Sequence, residues 1–151
     1  MSLLQNVLSV FGRVCLCVIF LMSAVGKKIP DFNGTVEYME GEMPFSVDVL
    51  RILLVGAIAF LILGSVSIIA GYWARIGAFL LLVFLGLATY FFHDFWTFDP
   101  ESKEFQMQML NFMKNLGLFG GLLFIMANGS GAGSLDSKSS GNASYNKDDD
   151  N

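Results

Sequence analysis

Four stretches of the chain are apolar for long enough to cross a bilayer, and the charges between them mark where each ends. A helix rising 1.5 Å per residue needs about 20 mostly apolar residues to span a hydrocarbon core of about 30 Å. The clearest stretch is 52–74, bounded by Arg51 and Arg75 with no charged residue between them. The next, 76–92, follows almost at once, so the chain must reverse around Trp73 and make an antiparallel helical hairpin. The outer two stretches must each bury a cation. Residues 14–26 are too few alone, so the first helix begins near Leu4 and carries Arg13 inside it. Residues 116–127 are likewise short, and extending them back to Met107 takes in Lys114.

Magnitudes separate these two. A central Arg or Lys costs about 2.5–3.5 kcal/mol on the insertion scale, against about −0.3 to −0.6 kcal/mol for each Leu, Ile, Val or Phe. Twelve such residues between Leu4 and Val25 outweigh Arg13. Nine between Leu110 and Ile125 are nearly cancelled by Lys114 before Gln108, Asn111 and Asn115 are counted, so the last span needs shelter from its neighbours. No basic segment precedes the first apolar run and no small-residue cleavage site precedes Lys27, so this segment reads as a retained span and not a signal peptide. The pattern predicts an all-α protein: a four-helix transmembrane bundle with spans at about 4–25, 52–74, 76–92 and 107–127. Residues 1–127 form one membrane domain and 128–151 a disordered polar tail of Gly, Ser, Asn, Lys and Asp.

Composition agrees. Of 151 residues, 54% are apolar and 15% charged, with a mean hydropathy of +0.61, outside the range of soluble domains. The net charge of −4 excludes nucleic acid, which demands a clustered excess of Lys and Arg. That charge is a sum of unlike parts: the connections 26–48 and 93–106 are each −3 and the tail is −2, whereas Arg13, Arg51, Arg75 and Lys114 make the spans wholly cationic. Cys15 and Cys17 point about 200° apart on a helix, so neither an intrahelical disulfide nor a metal pair follows, and no other ligand spacing supports a metal. Gly129, Gly131 and Gly133 form a GxGxG run, but it follows an apolar helix instead of joining a strand to a helix, which removes the dinucleotide-binding reading.

Four spans put both termini on one side and the first and third connections on the other. Lys27 and Lys28, His93 and Asp94, and Lys114, about 10 Å into its helix, then share one half of the bilayer. With Asn111 as the zero of a helical wheel, Lys114 lies at about 300°, Asn115 at about 40° and Gln108 at about 60°, a single polar stripe expected to face the bundle interior. One reading is structural: these groups hydrogen-bond across helices and hold the bundle. The other is a small polar cavity for a quinone head group or a small anion, near His93 and Lys114 with Lys27 or Lys28 at its rim, since charge inside a membrane is a functional signal. His93 would carry a proton there and Asp94 or Asp31 would orient it. Arg13 snorkels to the terminus side or pairs with a carbonyl or a lipid phosphate. Trp96, Trp73, Tyr72 and Tyr90 sit near span ends, where aromatic residues anchor at the interface. Gly64, Ser67 and Gly71 share one face as a packing surface.

An ordered series of short motifs runs from about residue 11 to 136. It comprises Gly12-Arg13 before an apolar run to Gly26-Lys27, the stretch Phe32-Asn-Gly-Thr-Val-Glu-Tyr-Met39, Gly71 with Arg75, and Ala88-Thr89-Tyr-Phe-Phe-His93-Asp-Phe-Trp96. Gln108, Phe112-Met-Lys114-Asn115-Leu-Gly-Leu-Phe-Gly-Gly121 and Gly129 to Asp136 complete it. In these features the chain resembles the DoxX family of small four-helix membrane proteins. The family's similarity to subunits of membrane thiosulfate:quinone oxidoreductase implies a redox or quinone-linked accessory role, and carries Arg13, Lys27, His93, Trp96, Lys114 and Asn115 over as matching positions. Many relatives have an acid in the second span, where this chain reads Ala59-Phe-Leu-Ile-Leu-Gly64, leaving no carboxylate there for Arg13 or Lys114. The expected function is that of an integral protein of a bacterial cytoplasmic (inner) membrane, an accessory subunit binding a quinone beside a redox enzyme partner. The alternatives are a non-catalytic assembly or chaperone-like protein and a small-solute carrier or channel, for the last of which a homo-oligomer could form the pore.

Overall fold

The structure is a computed structural model and describes residues 2–135. All regular structure among them is helical. Four long helices, α1 (Leu3–Ser23), α3 (Val47–Ala70), α4 (Ala74–Phe92) and α5 (Lys103–Asn128), are joined by a short α2 (Phe32–Glu42) and a 3₁₀ turn at Phe95–Thr97. Each long helix, counting the turns that continue α1 and α4, is long and apolar enough to cross a membrane. The four-helix transmembrane architecture is therefore the one the hydrophobic pattern predicts.

Local chemistry sets the helix ends. Ser2 and Gln5 form a reciprocal capping box on α1, with Oγ accepting from the Gln5 amide at 3.3 Å and Oε1 from the Ser2 amide at 3.0 Å. At its other end α1 widens into a π-helical turn, Ala24–Lys28, which re-aims the two lysines. Ser102 caps α5 by accepting from Phe105 N at 3.0 Å, which explains why that helix starts at residue 103 and not 107. Likewise α3 starts at residue 47, because the exposed Arg51 and Asp48 pair within its first turns instead of preceding it.

The α3–α4 hairpin is the tightest seam. A Cβ on Gly64 would sit 2.8 Å from the Gly77 carbonyl oxygen, and one on Gly77 would sit 2.7 Å from the Gly64 oxygen, so the two backbones touch. Around this contact Cys17, Phe20, Leu61, Ile68, Leu81, Leu85 and Leu122 make one core from all four spans. Outward-facing Leu63, Val66, Phe79, Leu110 and Phe124 are exposed and form the lipid-facing surface.

Two features depart from the sequence reading. The connection after the first span contains α2, capped by Asp31, whose Oδ1 accepts from Gly34 N at 3.2 Å. Its Val36 and Met39 pack on Leu50 and Leu54 of α3, closing one end of the bundle. The polar run read as a disordered tail also has a defined start. Residues 129–135 fold back over α1 and the end of α3, with Ala132 and Ser134 buried. They do so because Gly129, Gly131 and Gly133 all adopt positive φ and let the backbone reverse repeatedly. The disorder expected of 136–151 lies outside the described residues.

Candidate functional site

The polar residues singled out in the sequence fall into three places. Arg13 stands apart, at the terminus-side end of the bundle, where α3 ends at Gly71; His93 lies past the other end of α4, whose 19 residues measure about 28 Å. Arg13 is 4% exposed and among the described residues its guanidinium donates to backbone carbonyls: Nε to Ser9 at 3.3 Å, Nη1 to Ile68 at 3.5 Å and Nη2 to Gly133 at 3.0 Å. The Ile68 carbonyl belongs to the last turn of α3, the negative end of that helix dipole, so peptide dipoles solvate the cation. Arg75 does the same for α5, with Nη2 donating to Ala127 O at 3.4 Å.

The second place is the seam between α4 and α5. Asn115, buried at 7% exposure, donates from Nδ2 to Thr89 Oγ1 at 2.9 Å, and Thr89 donates to Leu85 O at 2.7 Å. One turn later on α4 comes His93, and two turns earlier on α5 comes Gln108, whose Oε1 is 2.8 Å from His93 Nδ1. The pair shares that seam, nearer the loops. Thr89 and Asn115 line an almost wholly apolar groove of about 270 Å³, just under the roughly 300–1,000 Å³ of small-molecule sites, together with Gly86, Tyr90, Trp96, Phe112, Leu116 and Phe119. Trp96 is held by aromatic edges: Phe112 lies 6.2 Å from it and Phe95 5.3 Å, and Phe95 also meets Phe105 and Phe112. The 3₁₀ turn is thereby pinned to α5.

The third place is the loop end. Lys27 is exposed and stands 5.9 Å over the Tyr38 ring, which stacks on Phe92 at 5.4 Å. Burial, and then the negative charges of Glu42 and Asp94, push the Tyr38 phenol above its ordinary pKa. Lys28 is half-buried, donating to Ser23 Oγ at 2.6 Å with its ammonium 5.4 Å from the Phe84 ring centroid.

Two expectations need correction. The polar stripe of α5 does not face inward as a whole. Asn115 and Gln108 do, but Lys114 is exposed and donates to Asn111 Oδ1 at 3.1 Å on the outer side. The wheel angles were right; Asn115 and Gln108 fix the inward direction, and Lys114 lies about 100° from Asn115. Nor does a carboxylate orient His93. Asp94 Oδ2 accepts from Thr97 Oγ1 at 3.2 Å and Asp31 caps α2, which leaves Gln108 as the imidazole's partner. Thr89 and the half-buried Phe112 and Phe119 carry no charge and merged with the apolar pattern, so sequence reasoning gave them no site role.

A family model described as DoxX matches residues 8–94, more than half of the chain, ending at the His93-Asp94 pair. The chain belongs to the DoxX family. Two relatives from Escherichia coli (strain K12) are similar over nearly the whole length. "Inner membrane protein YqjF" is 30% identical over 138 residues, 90% of this chain and 95% of the relative. "Inner membrane protein YphA" is 29% identical over 136 residues, 87% and 90% respectively. No solved structure matches this DoxX protein. It is a multi-pass integral membrane protein whose outer helix faces contact lipid, and the bacterial inner-membrane location expected from its sequence agrees with both relatives' names.

Proposed function

We propose that this DoxX protein holds a quinone in the groove between α4 and α5 as an accessory subunit of a membrane oxidoreductase. The observation that carries the reading is an aromatic, almost wholly apolar groove that opens outward between α4 and α5 and has Thr89 and Asn115 among its lining residues. A quinone is a flat apolar ring bearing carbonyl acceptors and reaches its sites through the lipid. Trp96, Tyr90, Phe112 and Phe119 supply faces and edges for the ring. The Asn115 amide has two N–H donors and gives one to Thr89; the reading assigns the other to a quinone carbonyl. In the neutral His93 ring a proton on Nδ1 donates to Gln108 and leaves Nε2 as a base, placed toward the loops where a proton from a quinol would leave. A partner enzyme supplies or takes the electrons.

Tryptophan emission tests this directly. In a Trp73→Phe variant Trp96 is the sole tryptophan, and a short-chain ubiquinone or menaquinone analogue should quench it saturably. Asn115→Leu should abolish saturation. Quenching that stays linear with analogue concentration, as for free indole, refutes the proposal.

A second reading is favoured by the pairing of polar groups of α4 and α5 with one another: Asn115 with Thr89 and His93 with Gln108. Such pairs hold helices together, and a non-catalytic assembly protein would need no more. A redox enzyme that co-purifies and keeps full activity with the Asn115→Leu variant supports it.

A further inference from the structure

Packing does not account for every glycine of the spans. Gly64 and Gly77 let two backbones touch and Gly71 has a positive φ, but Gly86, inside α4, has neither reason. Its φ lies outside the left-handed region, and among the described residues nothing comes within 4 Å of where its Cβ would be. A glycine there weakens the helix relative to alanine without relieving any contact. Of the helix glycines with such open space, Gly86 is the one that lines the groove between α4 and α5.

That groove has a direction. The Thr89–Asn115 bond sets the register of the two antiparallel helices. Tyr90, Trp96 and Phe112 lie on its loop side, whereas Gly86 and Phe119, each one turn from that bond, lie about 5 Å deeper, toward the bilayer centre. A ring held between Trp96 and Asn115 leaves the Gly86 end for its substituent. Volume agrees. A cavity of about 150 Å³ admits benzene, so a groove of about 270 Å³ holds one ring and leaves about 120 Å³ for a branched group. The lining is almost wholly apolar, which suits hydrocarbon beyond the ring.

We propose that Gly86 is a specificity-determining residue of this groove, its missing side chain leaving a recess for the first branched unit of an isoprenoid chain. The assignment rests on the quinone reading of the groove and narrows its ligand to prenylated quinones. Hydrophobicity alone does not select such a chain, because lipid tails are as apolar as the groove. Shape does. A prenyl unit is branched and is planar at its double bond, so its methyl enters the recess at Gly86 with the Phe119 ring across from it. A straight alkyl chain fills the recess less and gains little over remaining in lipid.

The test uses the full chain in mild detergent, in the Trp73→Phe background, with three ligands sharing one benzoquinone ring: the ring alone, the ring with a geranyl chain and the ring with a decyl chain. At equal mole fraction in the micelle, saturable quenching of Trp96 should show the geranyl form binding about 5-fold more tightly than the ring, and the decyl form within about 2-fold of it. Gly86→Leu, whose side chain occupies the recess, should remove the geranyl advantage. Gly12→Leu, the same change on the exposed face of α1, should leave that advantage intact. An unfolding temperature of the Gly86→Leu variant no lower than its parent's shows the helix intact, as leucine's better helix propensity requires. A decyl form that binds as tightly as the geranyl form, a geranyl advantage that survives Gly86→Leu, or equal weakening of ring and geranyl forms by it overturns the proposal, while saturation by the ring leaves the quinone reading standing. If no ligand quenches saturably, the quinone reading falls and the proposal falls with it.

Discussion

Arg13 and Gly133, separated by 120 residues, are joined by a 3.0 Å hydrogen bond from guanidinium Nη2 to a backbone carbonyl. The bond ties the first span to the segment that follows the last, and Gly71 makes room for it. A Cβ at Gly71 would collide with Arg13 Nη1 and with Ser134, at a residue whose φ is +66°. Gly71→Ala should therefore destabilise the protein by about 2–4 kcal/mol, combining left-handed strain with overpacking around a buried cation. Gly133→Ala, with φ of +68° but its nearest contact at 3.3 Å, should cost about half as much. Thermal unfolding in detergent of the two variants side by side gives the ranking, and a reversed order would contradict the geometry.

The Asn115–Thr89 bond across α4 and α5 should show up as coupling. A double-mutant cycle of Asn115→Ala and Thr89→Ala is expected to give about 0.6 kcal/mol and no more than about 1.7, the range of hydrogen bonds between membrane helices. Additive losses would mean that the bond contributes nothing in the bilayer.

His93 faces the carbonyl oxygen of Gln108, so the neutral ring should carry its proton on Nδ1. Nitrogen chemical shifts of labelled histidine, the chain's single one, distinguish the two tautomers. Gln108→Leu should move the population toward the Nε2 form, and a ring already in that form before substitution would show the amide to be oriented the other way.

Tyr38 carries the pH prediction. Its raised pKa means that the folded state holds the phenol proton more tightly than the unfolded chain does. That contribution to stability is complete below the unfolded value, about 10, and is lost as pH rises through the higher folded value. Tyr38→Phe should remove this part of the alkaline loss of stability, and the ultraviolet difference titration should lose its highest-pH tyrosinate step. An unchanged titration curve would assign that step to another tyrosine.

The hydrophobic pattern carried the four spans because each is a long apolar run, although α3 begins at Val47, ahead of the Arg51 that marks its apolar run in the sequence. It missed α2, whose signal is short: Asp31 as cap, then Phe32, Val36 and Met39 on one face. The π-helical turn at Ala24–Lys28 has no sequence signature, since it depends on how α1 meets α3. The direction of the α5 stripe was ambiguous for a similar reason. A wheel gives relative angles, and only the contact of Asn115 with Thr89 says which angle is inside. The carbonyl option for Arg13 was legible, but its source was not, because a Gly-Ser run with little besides Ala132 to bury gives no hint of packing until its backbone oxygens are counted as ligands.

The carbonyls that receive Arg13 also arrive in a temporal order. Ser9 is on its own helix, Ile68 arrives with the second span and Gly133 emerges only after the fourth. A chain still being synthesised therefore cannot close the Gly133 contact until the last membrane segment has been made, so this is the last of the three bonds to form.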